Sequence, residues 1–538
     1  MLSDTDYIVI GGGASGCAIT SSLLKNNSKV TLFEAGHSHH NFLLNVPAGF
    51  FKLLNSTKYA EYYKTKPQHH LGGKTSIIPQ GNVLGGGTSI NSQIYMRGRS
   101  EDYNEWNDIL RVNNDNVEWN WETLLPYFKS MENNERFENE YHGKKGQLNV
   151  SNSKFINPLT YDFIDSVSNL GVRKTEDFNG EFQQGVGKYQ YMNAKGRRSS
   201  AAHAFIDPEI NNPNLNLKLN TKVIKIIIEN SKAIGVQYEG KNGVIEKIYA
   251  KNEVVLAAGS FVTPKILNLS GIGDSEELNQ HEINCINHLP GVGKNLIDHP
   301  ECPIIAKANG KYGYFKEGEG WRMIKNGLEF LLFGSGPVNS TGVEAGAFLN
   351  PINPKDLSYI QAFFIPSMYM YADTIGVIKE DYGMSITTVM TKPKSRGFVK
   401  LRSANYKDPP EIHLNLLSHE EDMKMMIAGQ RFFLEVLKTK PLSNKIEKII
   451  FPDLDNLEDR NLEEHCRKSV KTNYHPSGTT KMGADNDKMA VLDSRMRVRG
   501  IENLRVCDLS AMPNINSGNT SAPAMMLGLR CADLILGS

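Results

Sequence analysis

The chain has 538 residues, with 60 lysines and arginines against 59 acidic residues and a formal net charge of +1. A chain of this length can bury large cores, and two closely joined domains are expected. The near-zero charge argues against an extended basic surface for nucleic acid. No apolar run has the length of a membrane-spanning helix, and the first strand follows the N-terminus too closely for a signal sequence.

The first predicted element is a β-strand that leads through a glycine-rich turn into a helix. Residues 7–10 are apolar, and Gly11, Gly13 and Gly16 follow in the GxGxxG spacing of a dinucleotide-binding turn. Gly11 permits the tight turn, Gly13 lets the backbone approach a pyrophosphate, and Gly16 lets the helix pack close to the strand. The helix N-terminus offers unpaired N–H groups and a positive dipole end to phosphates.

A second predicted strand, residues 29–34, ends in an acid. Glu34 lies about twenty residues beyond the glycines, where a carboxylate accepts hydrogen bonds from ribose hydroxyls. Glycine-rich turns also arise for packing reasons. The turn and the acid together favour a nucleotide site over a packing turn beside a solvated glutamate.

Histidines follow the second strand and recur about thirty residues later: His37, His39, His40, His69 and His70. A metal site is one interpretation, but no acidic or cysteine partner stands at a ligand spacing in the sequence. We therefore expect solvated loop histidines and no metal.

A second glycine-rich loop occupies residues 81–98. Three successive glycines precede Thr88, Ser89 and Asn91, so backbone N–H groups can converge on an anion or a ring edge. A surface turn is the alternative. The loop is buried in our interpretation, because apolar residues flank it: Val83, Leu84, Ile90 and Ile94.

These two stretches resemble the glucose–methanol–choline (GMC) oxidoreductases, flavoproteins that oxidise alcohols. Residues 259–273, 473–483, 506–510 and 517–523 are similar to further motifs of the family, in the family's order. The resemblance spans essentially the whole chain. It implies an α/β fold, in which a Rossmann-type FAD-binding domain carries an inserted antiparallel-sheet substrate domain of α+β type.

The resemblance also divides the chain. The FAD-binding domain is expected to comprise residues 1–155, 195–305 and 466–538, the last part with the catalytic residues. The substrate domain takes residues 156–194 and 306–465, where glycine motifs stop and strand-like segments alternate with turns. This region holds an aromatic and methionine cluster that is more typical of core than of a pocket wall: Phe363, Phe364, Met368, Tyr369, Met370 and Tyr371.

FAD is the cofactor that the resemblance implies. Some members bind it covalently through a histidine just before the motif asparagine, where this chain has Ile90, so non-covalent FAD is expected. In the family, the backbone around Val223 meets the adenine, and Asp508 lies near the ribityl–pyrophosphate portion. The positions that the resemblance places at the cofactor are Gly11, Gly13, Ser15, Gly16, Glu34, Ala35, Val83, Gly86, Asn91, Ile94, Val223, Ala258, Asp508, Leu509 and Thr520.

Two residues near the C-terminus are the predicted catalytic pair. Alcohol oxidation needs a base for the hydroxyl proton while hydride leaves the α-carbon. His475 stands at the position of the family's catalytic histidine, and an imidazole ordinarily titrates near neutrality. Asn519 stands where the family has a second histidine or an asparagine, and its amide can hydrogen-bond the substrate oxygen. A lone histidine is usually structural, but the surrounding motif favours catalysis here.

Two further residues bear on the substrate. In choline-oxidising members, a glutamate at the position of Glu301 faces the trimethylammonium group, and the position of Tyr474 is aromatic. A quaternary ammonium donates no hydrogen bonds, so charge and aromatic faces must hold it. An ion-paired loop acid is an equal alternative for Glu301.

The sequence thus predicts FAD-dependent oxidation of a choline-like or other primary alcohol to an aldehyde, with a dehydrogenase favoured over an oxidase. The alternatives are an oxygen-using oxidase, a redox-silent hydroxynitrile lyase and a non-catalytic cation-binding flavoprotein. The electron acceptor is a quinone, a carrier protein or oxygen. Six scattered cysteines without a CxxC pair favour reduced thiols, hence a location in the cytoplasm or peripheral to the inner face of a membrane.

Overall fold

The computed structural model describes residues 4–53, 55–111, 116–240, 243–369, 379–453 and 457–537. Met370 and Tyr371 of the aromatic cluster lie outside these ranges. Within the ranges, two seven-stranded sheets organise the chain. No helix of the described residues is both long and apolar enough to cross a membrane.

The strands, in chain order, are β1 Thr5–Ile10, β2 Val30–Phe33, β3 Ala60–Lys64, β4 Ile77–Gly81, β5 Glu132–Asn134, β6 Leu148–Asn152, β7 Gly185–Lys188, β8 Gln190–Tyr191, β9 Asn193–Ala194, β10 Arg197–Arg198, β11 Leu215–Lys218, β12 Val223–Glu229, β13 Lys232–Glu239, β14 Ile245–Leu256, β15 Ile272–Gly273, β16 Asn287–His288, β17 Pro300–Ala308, β18 Ala345–Leu349, β19 Ile360–Ile365, β20 Gly383–Met390, β21 Phe398–Lys400, β22 Glu411–His413, β23 Ile446–Phe451, β24 Lys471–Thr472 and β25 Leu504–Val506. The α-helices are α1 Ala14–Lys25, α2 Phe42–Asn45, α3 Phe50–Leu53, α4 Ser100–Leu110, α5 Trp121–Met131, α6 Pro158–Asn169, α7 Gly259–Leu269, α8 Ser275–Gln280, α9 Gly320–Phe333, α10 Glu420–Lys438, α11 Asp459–Ser469 and α12 Ser521–Leu536.

The first sheet is the predicted Rossmann-type sheet. Its centre is parallel, with β1 between β2 and β14, and with β11 and β25 outside them. Strands β12 and β13 extend it in antiparallel fashion. All four side chains of β2 are buried, as expected of a strand covered on both faces. Helices α1 and α12 pack closely together, because Gly528 has no side chain where a Cβ would press on the backbone of Ser15.

The second sheet is antiparallel throughout, in the order β23-β17-β20-β19-β18-β7, with β24 paired to β17. Helix α10 packs on it, and Gly429 of that helix lies against Thr388 and Ile360. The predicted fold class, an α/β cofactor domain with an antiparallel substrate domain, is confirmed.

The boundaries at residues 305 and 466 do not coincide with those of the sheets. Strand β17, Pro300–Ala308, runs across the predicted boundary at residue 305, and β24, Lys471–Thr472, pairs with it although residues 466–538 are predicted to belong to the FAD-binding domain. The hydrogen bonding of these residues puts them in the second sheet. Glu301 and its neighbours therefore belong to the second sheet.

Candidate active site

A cleft with a cavity volume of about 390 Å³ is lined by both domains. One end is formed by the turn between β1 and α1, and the other holds His475 and Asn519. Residues of β19 and β20, Phe363 and Thr387 among them, contribute to its wall. The predicted nucleotide turn and the predicted catalytic pair thus face one continuous space.

The three glycines of the turn have separate tasks in the structure. Gly11 has a φ of 105°, and a Cβ there would collide with the backbone of Ala257. A Cβ on Gly16 would collide with the carbonyl of Gly11, so this glycine serves helix–strand packing. Gly13 differs, because a Cβ there would meet no protein atom within 4 Å. Its backbone therefore faces open space at the N-terminus of α1, where a pyrophosphate fits.

Glu34 lies beneath this turn and lines the cleft. Its side chain is buried and accepts N–H groups from Gly12 at 2.9 Å and Gly36 at 2.7 Å. Burial raises the pKa of the Glu34 carboxyl, and the two N–H groups oppose that rise. A carboxylate offers about four lone-pair sites, so acceptor capacity remains for ribose hydroxyls.

Asp508 lies at the end of β25 and joins it to the start of α7. It accepts hydrogen bonds from the N–H groups of Ser510 at 2.7 Å and Gly259 at 2.9 Å, and from the Thr263 hydroxyl at 2.7 Å. Burial raises the pKa of this carboxyl while these donors oppose the rise. Asp508 therefore fixes the loops that form the cleft wall beside it.

Most residues predicted at the cofactor line the cleft: Gly11, Gly13, Ser15, Glu34, Ala35, Gly86, Asn91, Ile94, Val223, Ala258, Asp508, Leu509 and Thr520. Gly16 and Val83 do not. Gly16 is used for packing, and Val83 is fully buried, with its backbone bridged to His37. Ile90, which has no nucleophilic atom, also lines the cleft.

His475 is held in one tautomer by a second histidine that the sequence did not reveal. His299 is fully buried, and its Nε2 lies 3.0 Å from the carbonyl oxygen of Asn516, which can only accept. Burial lowers the pKa of His299 to about 3, so the ring is neutral and its Nδ1 is an acceptor. The Nδ1 of His475 lies 3.0 Å from that atom and must donate to it. The Nε2 of His475 is thereby left with a lone pair.

The backbone near His475 is fixed as well. Tyr474 has a φ of 64°, an uncommon conformation for an aromatic residue that marks local strain. Its N–H donates to the Thr472 hydroxyl at 2.8 Å, and the His475 N–H donates to Asp298 at 3.0 Å. Burial raises the pKa of Asp298 to about 7. Burial and the adjacent His299 hold the pKa of His475 well below its usual 6.5.

Asn519 is oriented by a chain of hydrogen bonds from the second sheet. The Tyr189 hydroxyl donates to the carbonyl of Ala362 at 2.8 Å, and therefore accepts from the Gln361 amide at 3.2 Å. The same Gln361 nitrogen donates to Oδ1 of Asn519 at 3.1 Å. The Nδ2 of Asn519 is then directed to Nε2 of His475, 3.5 Å away. An imidazole nitrogen with a lone pair and an amide donor thus lie side by side at the cleft wall.

Glu301 lines the same cleft but has partners of its own. It forms an ion pair with the buried Lys471 and accepts a hydrogen bond from the Asn473 amide. Burial and the positive charge of Lys74 lower the pKa of the Lys471 ammonium, and the Asp298 carboxylate opposes that shift. As an ion pair, Glu301 and Lys471 together carry no net charge. Lys471 also lies over the ring of Tyr474, 5.3 Å from its centroid.

The aromatic cluster is divided between core and cleft. Phe364 is fully buried and stacks on Phe163, with ring centroids 4.6 Å apart. Phe363 and Tyr369 line the cleft. Strand alternation explains the difference, because adjacent side chains of β19 point to opposite faces of the sheet.

The prediction of solvated loop histidines is wrong for His39. Its side chain is 1% exposed, and Asp207 supplies an acidic neighbour 2.9 Å from Nε2. The spacing argument missed this residue because it comes from a distant part of the chain. His40 and His69 are exposed, as expected. His70 is partly buried, with Nε2 2.7 Å from the carbonyl oxygen of Leu416.

A glycine-rich turn followed by an acceptor carboxylate is typical of nucleotide-dependent oxidoreductases, and here both share one cleft with His475 and Asn519. The family model described as GMC oxidoreductase matches residues 5–301 and 393–528. The chain therefore belongs to the GMC oxidoreductase family, and its cofactor is FAD.

Individual relatives cover nearly the whole chain. An alcohol dehydrogenase (acceptor) of Pseudomonas putida is 36% identical over 99% of this chain and 95% of its own length. An oxygen-dependent choline dehydrogenase of Brucella anthropi is 34% identical over 99% and 96%. Among solved structures, a formate oxidase of Aspergillus oryzae superposes with a TM-score of 0.90 over 100% of this chain and 99% of that one. Its sequence identity of 24% shows the fold alone.

Proposed function

We propose that the protein oxidises an uncharged primary alcohol to an aldehyde, with His475 as the base, and passes the electrons to an acceptor other than oxygen. FAD, when bound, supplies the acceptor for the hydride that leaves the α-carbon. The observation that carries the choice of an uncharged alcohol is the ion pair of Lys471 with Glu301.

The chain's own residues fit a non-covalent FAD. Gly13 and the N-terminus of α1 would hold the pyrophosphate, and Glu34 would accept from the ribose hydroxyls. Ile90 stands where covalent members have a histidine. We expect acid precipitation to release all the flavin into the supernatant, and flavin that stayed with the pellet would contradict this assignment.

The base is Nε2 of His475. The hydrogen bond from Nδ1 to His299 leaves Nε2 with its lone pair, and His475 lines the cleft, so an alcohol that displaces the Asn519 amide from Nε2 can give up its hydroxyl proton there as hydride departs. The adjacent Nδ2 of Asn519 can donate to the alcohol oxygen as negative charge develops there. Because its pKa is lowered, His475 is already unprotonated at neutral pH.

A trimethylammonium substrate is disfavoured by the surroundings of Glu301. A cation is held by net negative charge and by free aromatic faces. The pair of Glu301 with Lys471 is neutral overall, and Lys471 also lies against the ring of Tyr474. The 36% identity to an alcohol dehydrogenase (acceptor) supports an alcohol substrate and a dehydrogenase.

The test is anaerobic reduction of the flavin by a panel of alcohols that includes choline, aryl and long-chain primary alcohols. Rapid bleaching by uncharged alcohols and slow bleaching by choline are expected. Faster bleaching by choline would contradict the uncharged substrate, and no bleaching by any alcohol would favour a redox-silent lyase. Turnover with a quinone analogue, compared with turnover on oxygen, separates the dehydrogenase from the oxidase.

We also propose that the protein binds peripherally to an anionic membrane surface. Helix α9 presents large apolar side chains outward, with exposed fractions of 74% for Trp321 and 71% for both Leu332 and Phe333. Arg322 and Lys325 of the same helix are exposed. Aromatic and leucine side chains beside basic residues are typical of helices that lie in the bilayer interface.

Sedimentation with vesicles of anionic lipid tests this location. The double substitution Leu332→Gln with Phe333→Gln should release the protein from the vesicles, because it removes two of the three most exposed apolar side chains of α9. Ile210→Gln, at a side chain 45% exposed elsewhere, is the matched control and should leave binding unchanged. Equal binding of all three proteins would contradict the role of α9.

A further inference from the structure

Outside the cleft, three side chains converge beside the loop that follows β2. His39 and His40 belong to this loop, and Asp207 follows the π-helical turn Ala202–Ile206. Their nitrogen and carboxylate oxygen atoms all lie within 4.8 Å of one another. None of the three lines the cleft.

His39 points most directly to a ligand. Its side chain is 1% exposed, yet neither ring nitrogen has a hydrogen bond of acceptable geometry to any described residue. Nε2 lies 2.9 Å from Oδ1 of Asp207, and that oxygen also lacks an aligned hydrogen bond. Two polar atoms can lie this close without an aligned hydrogen bond when the lone pair of each points at the same bound ion. A buried polar group left in this way costs free energy unless a ligand engages it.

The distances fit a small transition ion. Zinc–nitrogen bonds of about 2.0–2.1 Å in a tetrahedral site place neighbouring ligand atoms about 3.3 Å apart. Oδ1 of Asp207 lies 2.9 Å from Nε2 of His39 and 3.5 Å from Nε2 of His40. Two imidazoles with one carboxylate suit Zn²⁺ and similar ions, whereas Mg²⁺ and Ca²⁺ prefer oxygen ligands.

The ligand atoms are held in place by their own segments. The Asn41 N–H donates to the carbonyl of His39 at 2.9 Å, and the Asn41 side chain caps α2. The ring of His203 packs edge-on against His39, with centroids 4.7 Å apart, and Ser200 lies 2.8 Å from its Nδ1. The site is therefore arranged by the fold of the loop and the turn, without need of an ion to assemble it.

We propose that His39, His40 and Asp207 form a binding site for Zn²⁺ or a similar divalent transition ion, distinct from the active site. Such an ion would tie the loop after β2 to the turn at 202–206, two segments that are far apart in the sequence. An ion that binds the folded state alone stabilises it. The same loop leads directly out of Glu34, so the ion would also secure the cofactor end of the cleft.

The experiment uses tag-free holoenzyme that has been treated with a chelator and then titrated with Zn²⁺. Calorimetry should show one equivalent bound, and the thermal unfolding temperature should rise with the zinc concentration. Replacing a ligand should weaken binding at least about tenfold, since even loss of an outer-shell partner costs roughly 10–100-fold in affinity. The two test variants are His40→Gln and Asp207→Asn, and His69→Gln, at an exposed histidine outside the cluster, is the matched control.

The side chain of His40 is 62% exposed, so His40→Gln is expected to keep the fold. Flavin content and the metal-free unfolding temperature verify this for each variant. The proposal is overturned if zinc does not bind saturably, or if both test variants bind it as tightly as the control. An equal response to Mg²⁺ at the same concentration would overturn the assignment to a transition ion.

Discussion

Two buried glutamates line opposite ends of the cleft, and they are held in contrasting ways. The Glu34 carboxylate accepts hydrogen bonds from the backbone N–H groups of Gly12 and Gly36. Within the described part of the chain, no lysine or arginine donates a hydrogen bond to it. Glu301 is paired with Lys471 and Asn473, about 170 residues further along the chain. The cofactor end is thus built from local backbone contacts, whereas the substrate end is built from side chains brought together by folding.

This contrast explains what each end can do. A carboxylate held by N–H groups keeps its acceptor sites and its negative charge for ribose hydroxyls. A carboxylate beside an ammonium group has its charge cancelled and cannot attract a cation. His475, the proposed base, belongs to the second type, because its tautomer depends on the distant His299.

The largest expected effect comes from His475→Ala, which should slow flavin reduction without weakening FAD binding. General-base assistance is typically worth ~10²–10⁴-fold, so the anaerobic rate of flavin reduction should fall by about that factor. The FAD content should be unchanged, because the cofactor end is formed by other segments. Stopped-flow reduction with a saturating alcohol measures the loss, and His69→Ala serves as the control. A variant that kept FAD and the full rate would return His475 to a structural role.

The pH dependence of the flavin reduction rate tests the same role of His475. The base must be unprotonated, and burial holds the pKa of His475 below 6.5. The reduction rate should therefore rise with pH only in the acid range and be flat from about neutrality upward. The ordinary imidazole pKa would instead put the rise near neutrality, and a midpoint there in stopped-flow data would contradict the lowered value. The acid limb should vanish in His475→Ala.

Asn519→Ala should have the next largest effect. Loss of one donor to a developing oxyanion typically costs about 10²–10³-fold in rate. The cost should not add to that of His475→Ala, since both groups act on the same oxygen. Single-turnover rates of the two single variants and the double variant measure this coupling. Additive losses would show that the two side chains act independently.

Glu34→Ala tests the cofactor end. Loss of a charged hydrogen-bond acceptor costs about 1.5–3 kcal/mol, so FAD should bind roughly 10–150-fold more weakly. The reduction rate of the enzyme that still holds FAD should be close to that of the wild type. Equilibrium dialysis gives the affinity, and Glu229→Ala, an exposed acid of the same sheet, is the control. An unchanged affinity for FAD would contradict the proposed hydrogen bonds between Glu34 and the ribose hydroxyls.

The difference between contacts within one local segment and contacts between distant segments also determines how much of the site could be predicted from the sequence. The glycine turn, Glu34 and the segment around His475 have local signatures, and the structure places them along one cleft. His299, Gln361 and Asp207 carry no such signature, because their roles arise from partners that are distant in the chain. The one signal in the sequence for His299 is its place two residues before Glu301.

The smallest expected effect concerns Lys471, and it tests the substrate end directly. Lys471→Met keeps the length of the side chain but removes the ammonium group that neutralises Glu301 and lies against Tyr474. The uncompensated carboxylate charge of Glu301 and the loss of the lysine from the ring of Tyr474 should then improve kcat/KM for choline relative to an uncharged alcohol by about tenfold, within the range of cation–π and charge contacts. Lys468→Met, at a lysine 73% exposed on α11, is the matched control. Because the variant leaves a buried acid unpaired, Lys471→Met with Glu301→Gln should restore stability and abolish the gain for choline. A ratio that stays constant in all these proteins would mean that Lys471 does not set the charge of the substrate.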